Sequence, residues 1–148
     1  MAIPSNCIQA TCDSMIQVSD CGQKLTFINI DNNWFSKIRV DGCVITEGRR
    51  SDFVVEKGTR GIVIELKKGS VENGADQVLE TARRWKIEDR CVEICGIIVG
   101  RSYPRASAGL MVKQRIFQKE HNRPLHVIKG SLSVNFDNMF RFTKFLAP

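Results

Sequence analysis

The sequence predicts an α/β (α+β) protein built on a mixed β-sheet flanked by helices. Three observations carry that expectation. Between Lys24 and Lys67, short apolar runs are separated by turn-forming residues. After Ser70 the period changes, and Val71, Ala75, Val78, Leu79, Ala82 and Trp85 recur at helical spacing. The run Val92 to Val99 that follows is apolar enough to read as a buried strand.

Residues 1–22 have no clear period and are read as a short helix or an arm. Leu25-Thr26-Phe27-Ile28-Asn29-Ile30 is a first short strand, closed by Asp31-Asn32-Asn33. Trp34 to Ile45 is a second strand-like stretch. Trp34, Ile38 and Val40 share one side of it, Lys37, Arg39 and Asp41 the other. Core packing is the expectation for Trp34, and a bulge or bend for Gly42. Asp52-Phe53-Val54-Val55-Glu56 is a third strand, residues 57–61 a turn, and Ile62-Val63-Ile64-Glu65-Leu66-Lys67 a fourth. Short strands joined by such turns predict an antiparallel meander. Ser70 is placed to N-cap the helix that follows. Residues 101–105 read as a loop, 107–121 as a second helix, and 124–128 and 131–136 as late strands.

A chain of 148 residues is the size of one domain, here taken as 1–148, and can bury a core without disulfides or a structural metal. A hydrophobic fraction of 43% with 26% charged residues excludes disordered, collagen-like and disulfide-dense classes. No window approaches the ~18 consecutive apolar residues of a membrane helix. The first residues lack a basic segment followed by an apolar run, so the expectation is a soluble, cytoplasmic protein. Lys and Arg number 22 against 16 Asp and Glu, a net charge of +6. That excess suits a polyanionic partner, and equally an ordinary solvated surface. The six cysteines form no C-x2-C pair, and His121 and His126 are not spaced with them as zinc ligands. The expectation is free, mostly buried thiols in a reducing compartment.

The chemistry-bearing segment is Ser51-Asp52 followed by Ile64-Glu65-Leu66-Lys67. Alternation puts Glu65 and Lys67 on one face of their strand and Ile62, Ile64 and Leu66 on the other. Asp52 comes opposite a residue between Glu65 and Lys67 if residues 57–61 make a tight hairpin. Only some registers bring it to the shared face. Two carboxylates beside a lysine suit phosphodiester hydrolysis. The carboxylates hold a hard divalent cation, with the Leu66 carbonyl a further ligand, and the lysine orients a water and adds positive charge. On a helical wheel starting at Val71, Gly74, Gln77, Thr81 and Arg84 fall at about 300°, 240°, 280° and 220°, one polar flank beside the apolar stripe.

This pattern resembles the PD-(D/E)XK nuclease superfamily, whose fold is called restriction-endonuclease-like, and within it the core of the Holliday-junction resolvases. The resemblance covers residues 41–99. Asp52 stands as the first acid, with Ser51 where the family name has proline, and Glu65-Leu66-Lys67 as the E-x-K element. Gln77, ten residues after Lys67, matches the glutamine that some members place on the following helix. The chain departs from the family in having no recognisable N-terminal helical glutamate. Asp41 is the possible additional acid, with a structural role at a bulge as its alternative.

The resemblance implies a nuclease using Mg²⁺ or Mn²⁺, cleaving DNA rather than RNA, with low or structure-based specificity. Asp52, Glu65 and the Leu66 carbonyl would hold the metal, and Lys67 and Gln77 would serve the attacking water. Arg49, Arg50, Lys68 and Arg84 are the candidate phosphate contacts, followed by Arg101, Arg105, Lys113, Arg115, Lys119 and Arg123. Tyr103 is a candidate to stack on a base. A duplex cutter of this size would act as a homodimer or as a subunit of a larger assembly. The alternatives are a non-catalytic nucleic-acid-binding or protein-interaction subunit of the same fold, or a regulator whose basic face meets an acidic protein.

Overall fold

The computed structural model describes residues 2–67, 69–101, 107–130 and 132–142. Its strands are β1 (Ile8–Thr11), β2 (Met15–Asp20), β3 (Gln23–Ile28), β4 (Phe35–Arg39), β5 (Phe53–Lys57), β6 (Arg60–Leu66), β7 (Glu93–Gly100), β8 (Leu125–Lys129) and β9 (Leu132–Val134). The helices are α1 (Val71–Ile87), between β6 and β7, and α2 (Ala108–His121), between β7 and β8. The chain is therefore mixed α/β, as its changing hydrophobic period predicts.

Six strands form the central sheet in the order β1-β4-β5-β6-β7-β8. Its first half is antiparallel, but the expected meander holds only for β4, β5 and β6: β3 lies in the second sheet and β1 takes the place beside β4, while β6, β7 and β8 run parallel. Parallel neighbours need a crossover, which α1 and α2 supply. A smaller mixed sheet, β2-β3-β9, covers the opposite face. The molecule has three layers, small sheet, central sheet and helix pair, with an apolar core on each side of the central sheet. Ile62, Ile64, Leu66, Ile97 and Val99 meet Ile16, Leu25 and Phe27 on one side. Val54, Val63 and Ile98 meet Val78, Ala82, Trp85 and Phe117 on the other.

Four expectations change. Residues 1–22 form a short 3-10 turn, Ser5–Cys7, and the strands β1 and β2. Their polar residues alternate with a few buried ones (Thr11, Ile16, Val18), so the pattern is that of edge strands covered on one face only. Trp34 is 67% exposed, because β4 begins one residue later and sends Phe35 and Ile38 to the two cores. The strand-like stretch ends at Arg39, and residues 40–45 make a turn with Gly42 at φ +73°. The six cysteines are not all thiols. Cys7 and Cys43 are bonded across 36 residues, with Cα atoms 5.6 Å apart, while Cys12, Cys91 and Cys95 remain thiols. No spacing rule links those two positions; they meet because β1 pairs with β4. Closing such a loop stabilises a fold by about 2–4 kcal/mol. No helix of the described residues is long and apolar enough to cross a membrane.

Two local features set α1 over the sheet. The Ser70 hydroxyl accepts the Asn73 N–H, an N-cap as expected. Gly96, in the middle of β7, lets the helices approach: a Cβ there would stand 2.7 Å from Leu125 Cδ1 and 2.8 Å from Val78 Cγ1. Gly96→Ala is expected to cost about 1–3 kcal/mol through overpacking. Urea unfolding should show a lower midpoint with the slope unchanged.

Candidate active site

The β5–β6 hairpin settles the register. Lys57 pairs with Arg60 across the two-residue turn Gly58-Thr59, where Gly58 takes φ +59°. Phe53 then pairs with Ile64, so Asp52 comes opposite Glu65, the register that puts it beside that side chain. Strand alternation holds. Ile62, Ile64 and Leu66 enter the core beneath the small sheet, and Glu65 and Lys67 share the α1 side with Val63.

The β5 ladder stops at Asp52 for a visible reason. Its carbonyl accepts the Val40 N–H at 2.9 Å, and its Oδ2 accepts the Leu66 N–H at 2.8 Å. The carboxylate thus occupies the place where a continuing strand would have offered a carbonyl. The Leu66 carbonyl shares the strand edge of its N–H and so faces Asp52.

Glu65 is almost wholly buried. Its side chain is only 4% exposed, Lys67 Nζ stands 3.7 Å from Oε2, and Oε1 has no hydrogen-bond partner. Burial pushes the Glu65 carboxyl up to about 9, with the neighbouring Asp52 charge adding to the effect and Lys67 opposing it. Asp52 is also raised, first by burial, against the Leu66 N–H that lowers it. The two carboxyls share a hydrogen bond, so near neutral pH one of them keeps a proton.

Helix α1 supplies the opposite wall. Gly74 lies against the site: a Cβ there would be 3.1 Å from Lys67 Cγ and 3.4 Å from Glu65 Cγ. Gln77 donates its amide N–H to the Arg50 carbonyl at 3.1 Å, leaving its buried Oε1 without a partner. Thr81 Oγ1 accepts the Ser51 N–H at 2.8 Å, while the buried Ser51 hydroxyl has no partner. Three members of the polar flank therefore hold residues 50–52 and the E-x-K strand. Arg84, about 10 Å further along the helix than Gln77, lines a separate hollow with Glu80, Arg83 and Glu88 instead.

Outside Glu65 and Asp52 opens a cleft of about 470 Å³, lined by Asp41, Arg49, Arg50, Lys67, Asn73, Asp76 and Gln77 among others. Its basic side chains are already paired. Arg50 Nε is 2.7 Å from Asp41, and Arg49 is 3.0 Å from Asp76, which also holds Lys113 at 2.9 Å. Asp41 thus sits on the cleft wall as the partner of Arg50, and its charge also acts on Asp52, raising it. Three carboxylates, Asp76, Asp41 and Glu65, meet Arg49, Arg50 and Lys67, so the cleft is less basic than the run of cations suggests.

Asn73 and Asp76 belong to the cleft and were not legible as such. Asn73 lies one helical turn before Gln77, a usable signal. Asp76 finds its partner on α2, which no local pattern reveals. Lys68, Tyr103 and Arg105 lie outside the described residues.

The donor set is two carboxylates and a main-chain carbonyl. Among the described residues no group of three or more His, Cys, Asp or Glu is placed to hold a metal. The site nonetheless fits a hard cation: two carboxyls stand together, the Leu66 carbonyl faces them, and Glu65 Oε1 lacks a partner. Comparison of the chain with protein-family models, curated proteins and solved structures finds no match.

In the absence of metal the folded state keeps a proton on this pair that the unfolded chain releases, between the ordinary Glu value of 4.5 and about 9. Stability should therefore fall as pH rises through that window. Glu65→Gln is expected to flatten the slope and to raise the urea midpoint near pH 8. Added Mg²⁺ should stabilise the wild type at that pH, and the variant much less, in the same urea titrations.

Proposed function

We propose that this protein is a Mg²⁺- or Mn²⁺-dependent nuclease of the PD-(D/E)XK type, with a restriction-endonuclease-like core, that hydrolyses phosphodiester bonds of DNA with low or structure-based specificity. One observation carries the reading. Of the four buried side chains left with a polar atom unpartnered among the described residues, three are Ser51, Glu65 and Gln77. All three are tied to the segment that places Asp52 against the E-x-K strand. Unsatisfied buried polar atoms are rare in folded proteins, and their gathering behind one cleft, which Gln77 itself lines, supports a site for a hydrated, charged ligand.

In this reading Asp52 Oδ1, Glu65 Oε1 and the Leu66 carbonyl hold the cation. When bound, it supplies charge neutralisation at the scissile phosphate and a more acidic water. Lys67, already 3.7 Å from Glu65, orients that water and adds positive charge facing the phosphate. Gln77 Oε1 accepts one of the water's hydrogens. Arg49 and Arg50 exchange Asp76 and Asp41 for the flanking phosphates. Cutting both strands of a duplex favours a homodimer.

The test is cleavage of plasmid, single-stranded DNA and RNA with Mg²⁺, Mn²⁺ or EDTA. Cleavage of DNA that stops in EDTA is expected. Glu65→Ala and Lys67→Ala should each lower the rate by about 100-fold or more while circular dichroism stays native. Asp52→Asn should abolish cleavage yet keep or tighten metal-free DNA binding in fluorescence anisotropy, since a repelling charge is gone. Cleavage that survives EDTA would overturn the site. Metal-dependent binding without cleavage would leave the non-catalytic alternative in its place.

A further inference from the structure

From the path of the chain between Cys43 and Asp52, we infer that the Cys7–Cys43 disulfide is a redox control on the cation site, reversed by a dithiol reductant. The inference concerns regulation of the site proposed above and rests on that reading for its catalytic consequence alone.

The coupling is physical and short. Cys43 sits in the turn that follows β4, a turn closed on the Val40 carbonyl by the N–H groups of Cys43, Val44 and Ile45. The same turn reaches the site by two routes. The Val40 N–H, at 2.9 Å, and the Asp41 N–H, at 3.5 Å, both point at the Asp52 carbonyl. The Asp41 carboxylate takes Arg50 Nε at 2.7 Å, and the Arg50 carbonyl takes the Gln77 amide. Asp52, Arg50 and Gln77 are thus held from one small turn, and its covalent anchor outside β4 is the bond to Cys7. That anchor lies on the edge strand side, where Cys7 precedes β1 and β1 pairs with β4 alone. An edge strand of four residues holds such a turn weakly once the bond is open.

Access and chemistry agree. Cys7 is 4% exposed, whereas Cys43 is half-buried, and both line a hollow of about 470 Å³ together with Lys37 and Arg39. A thiolate entering there meets Lys37 and Arg39, the Asp41 carboxylate that Arg50 pairs, and the Cys43 sulfur. It bonds to Cys43 Sγ, and the S–S electron pair leaves on Cys7 Sγ, which takes a proton. The reductant's second thiol then attacks the mixed disulfide and frees Cys43. Two electrons pass from the dithiol, which becomes a disulfide, to the cystine, which becomes two thiols. A chain that keeps Cys12, Cys91 and Cys95 as thiols is not a disulfide-stapled secreted scaffold. A single bond placed beside a functional turn fits the redox-sensing use of disulfides better.

The experiment compares oxidised protein, protein reduced with dithiothreitol and checked by thiol counting, and Cys7→Ser. Three quantities are read: amide hydrogen exchange at Val40, Asp41 and Leu66, Mn²⁺ affinity by electron paramagnetic resonance, and DNA cleavage. Reduction is expected to speed exchange at those amides more than at β7, and to weaken Mn²⁺ binding by about 10- to 100-fold. Cleavage should fall in step, and reoxidation should restore all three. Cys7→Ser should behave as the reduced protein does and ignore dithiothreitol. Unchanged exchange and unchanged Mn²⁺ affinity after complete reduction would overturn the inference. Should Cys7→Ser unfold, the reduced and reoxidised wild type decides alone. If exchange and Mn²⁺ affinity respond but no form cleaves DNA, the nuclease reading fails and the redox coupling stands. If no form binds Mn²⁺, there is no cation site to control and the inference is overturned.

Discussion

Strand β5 ends because Asp52 puts its own carboxylate where the next ladder carbonyl would be, on the Leu66 N–H. The arrangement of the site follows from that substitution. It keeps the carboxylate at the sheet edge, beside Glu65, and it commits the chain to leave the sheet at Ser51. The departing segment must then be held by something other than a strand. Thr81, Gln77 and the turn after β4 hold it, each through one backbone group. A strand that simply continued would have paired the Leu66 N–H with a main-chain carbonyl instead.

Crowding two carboxyls in this way opposes folding. Burial drives the Glu65 carboxyl up to about 9 and raises Asp52 as well. A fold tolerates such a cluster when the rest of the chain over-determines it. Here the surrounding order is plain: a tight hairpin with Gly58 in its turn, two apolar cores on either face of β6, and α1 seated by its N-cap and by Gly96. The paired arginines of the cleft belong to the same balance. With Asp41 and Asp76 as partners they remain ordered without a ligand, and a polyanion must compete for them.

The second structural constraint is the central sheet's change from antiparallel to parallel at β6. It places α1 directly after the E-x-K strand and across the same face as Glu65 and Lys67. That is why a helix residue, Gln77, reaches a loop 27 residues earlier in sequence. The smaller sheet and the Cys7–Cys43 bond lie on the other face and at the β1 edge.

The sequence by itself determined the elements whose signals are local. Alternation separated the two faces of β6, the 3.6-residue period and Ser70 marked α1, and the turn-forming residues 57–61 between apolar runs marked a turn that a hairpin could use. The closeness of Asp52 to Glu65 was half legible, since the hairpin was readable and its register was not. Tertiary structure decided the rest, because those features depend on residues far apart in the chain. The meeting of Cys7 with Cys43 needs β1 beside β4, and the hold of Thr81 on Ser51 needs α1 above the sheet edge. The capture of Arg49 by Asp76, and the turning away of Arg84 into another hollow, depend on the angle at which α1 lies. Local periodicity specifies which face of an element is apolar. It carries no information about which distant side chain that element's polar edge will meet, because that choice is made by the packing of whole layers.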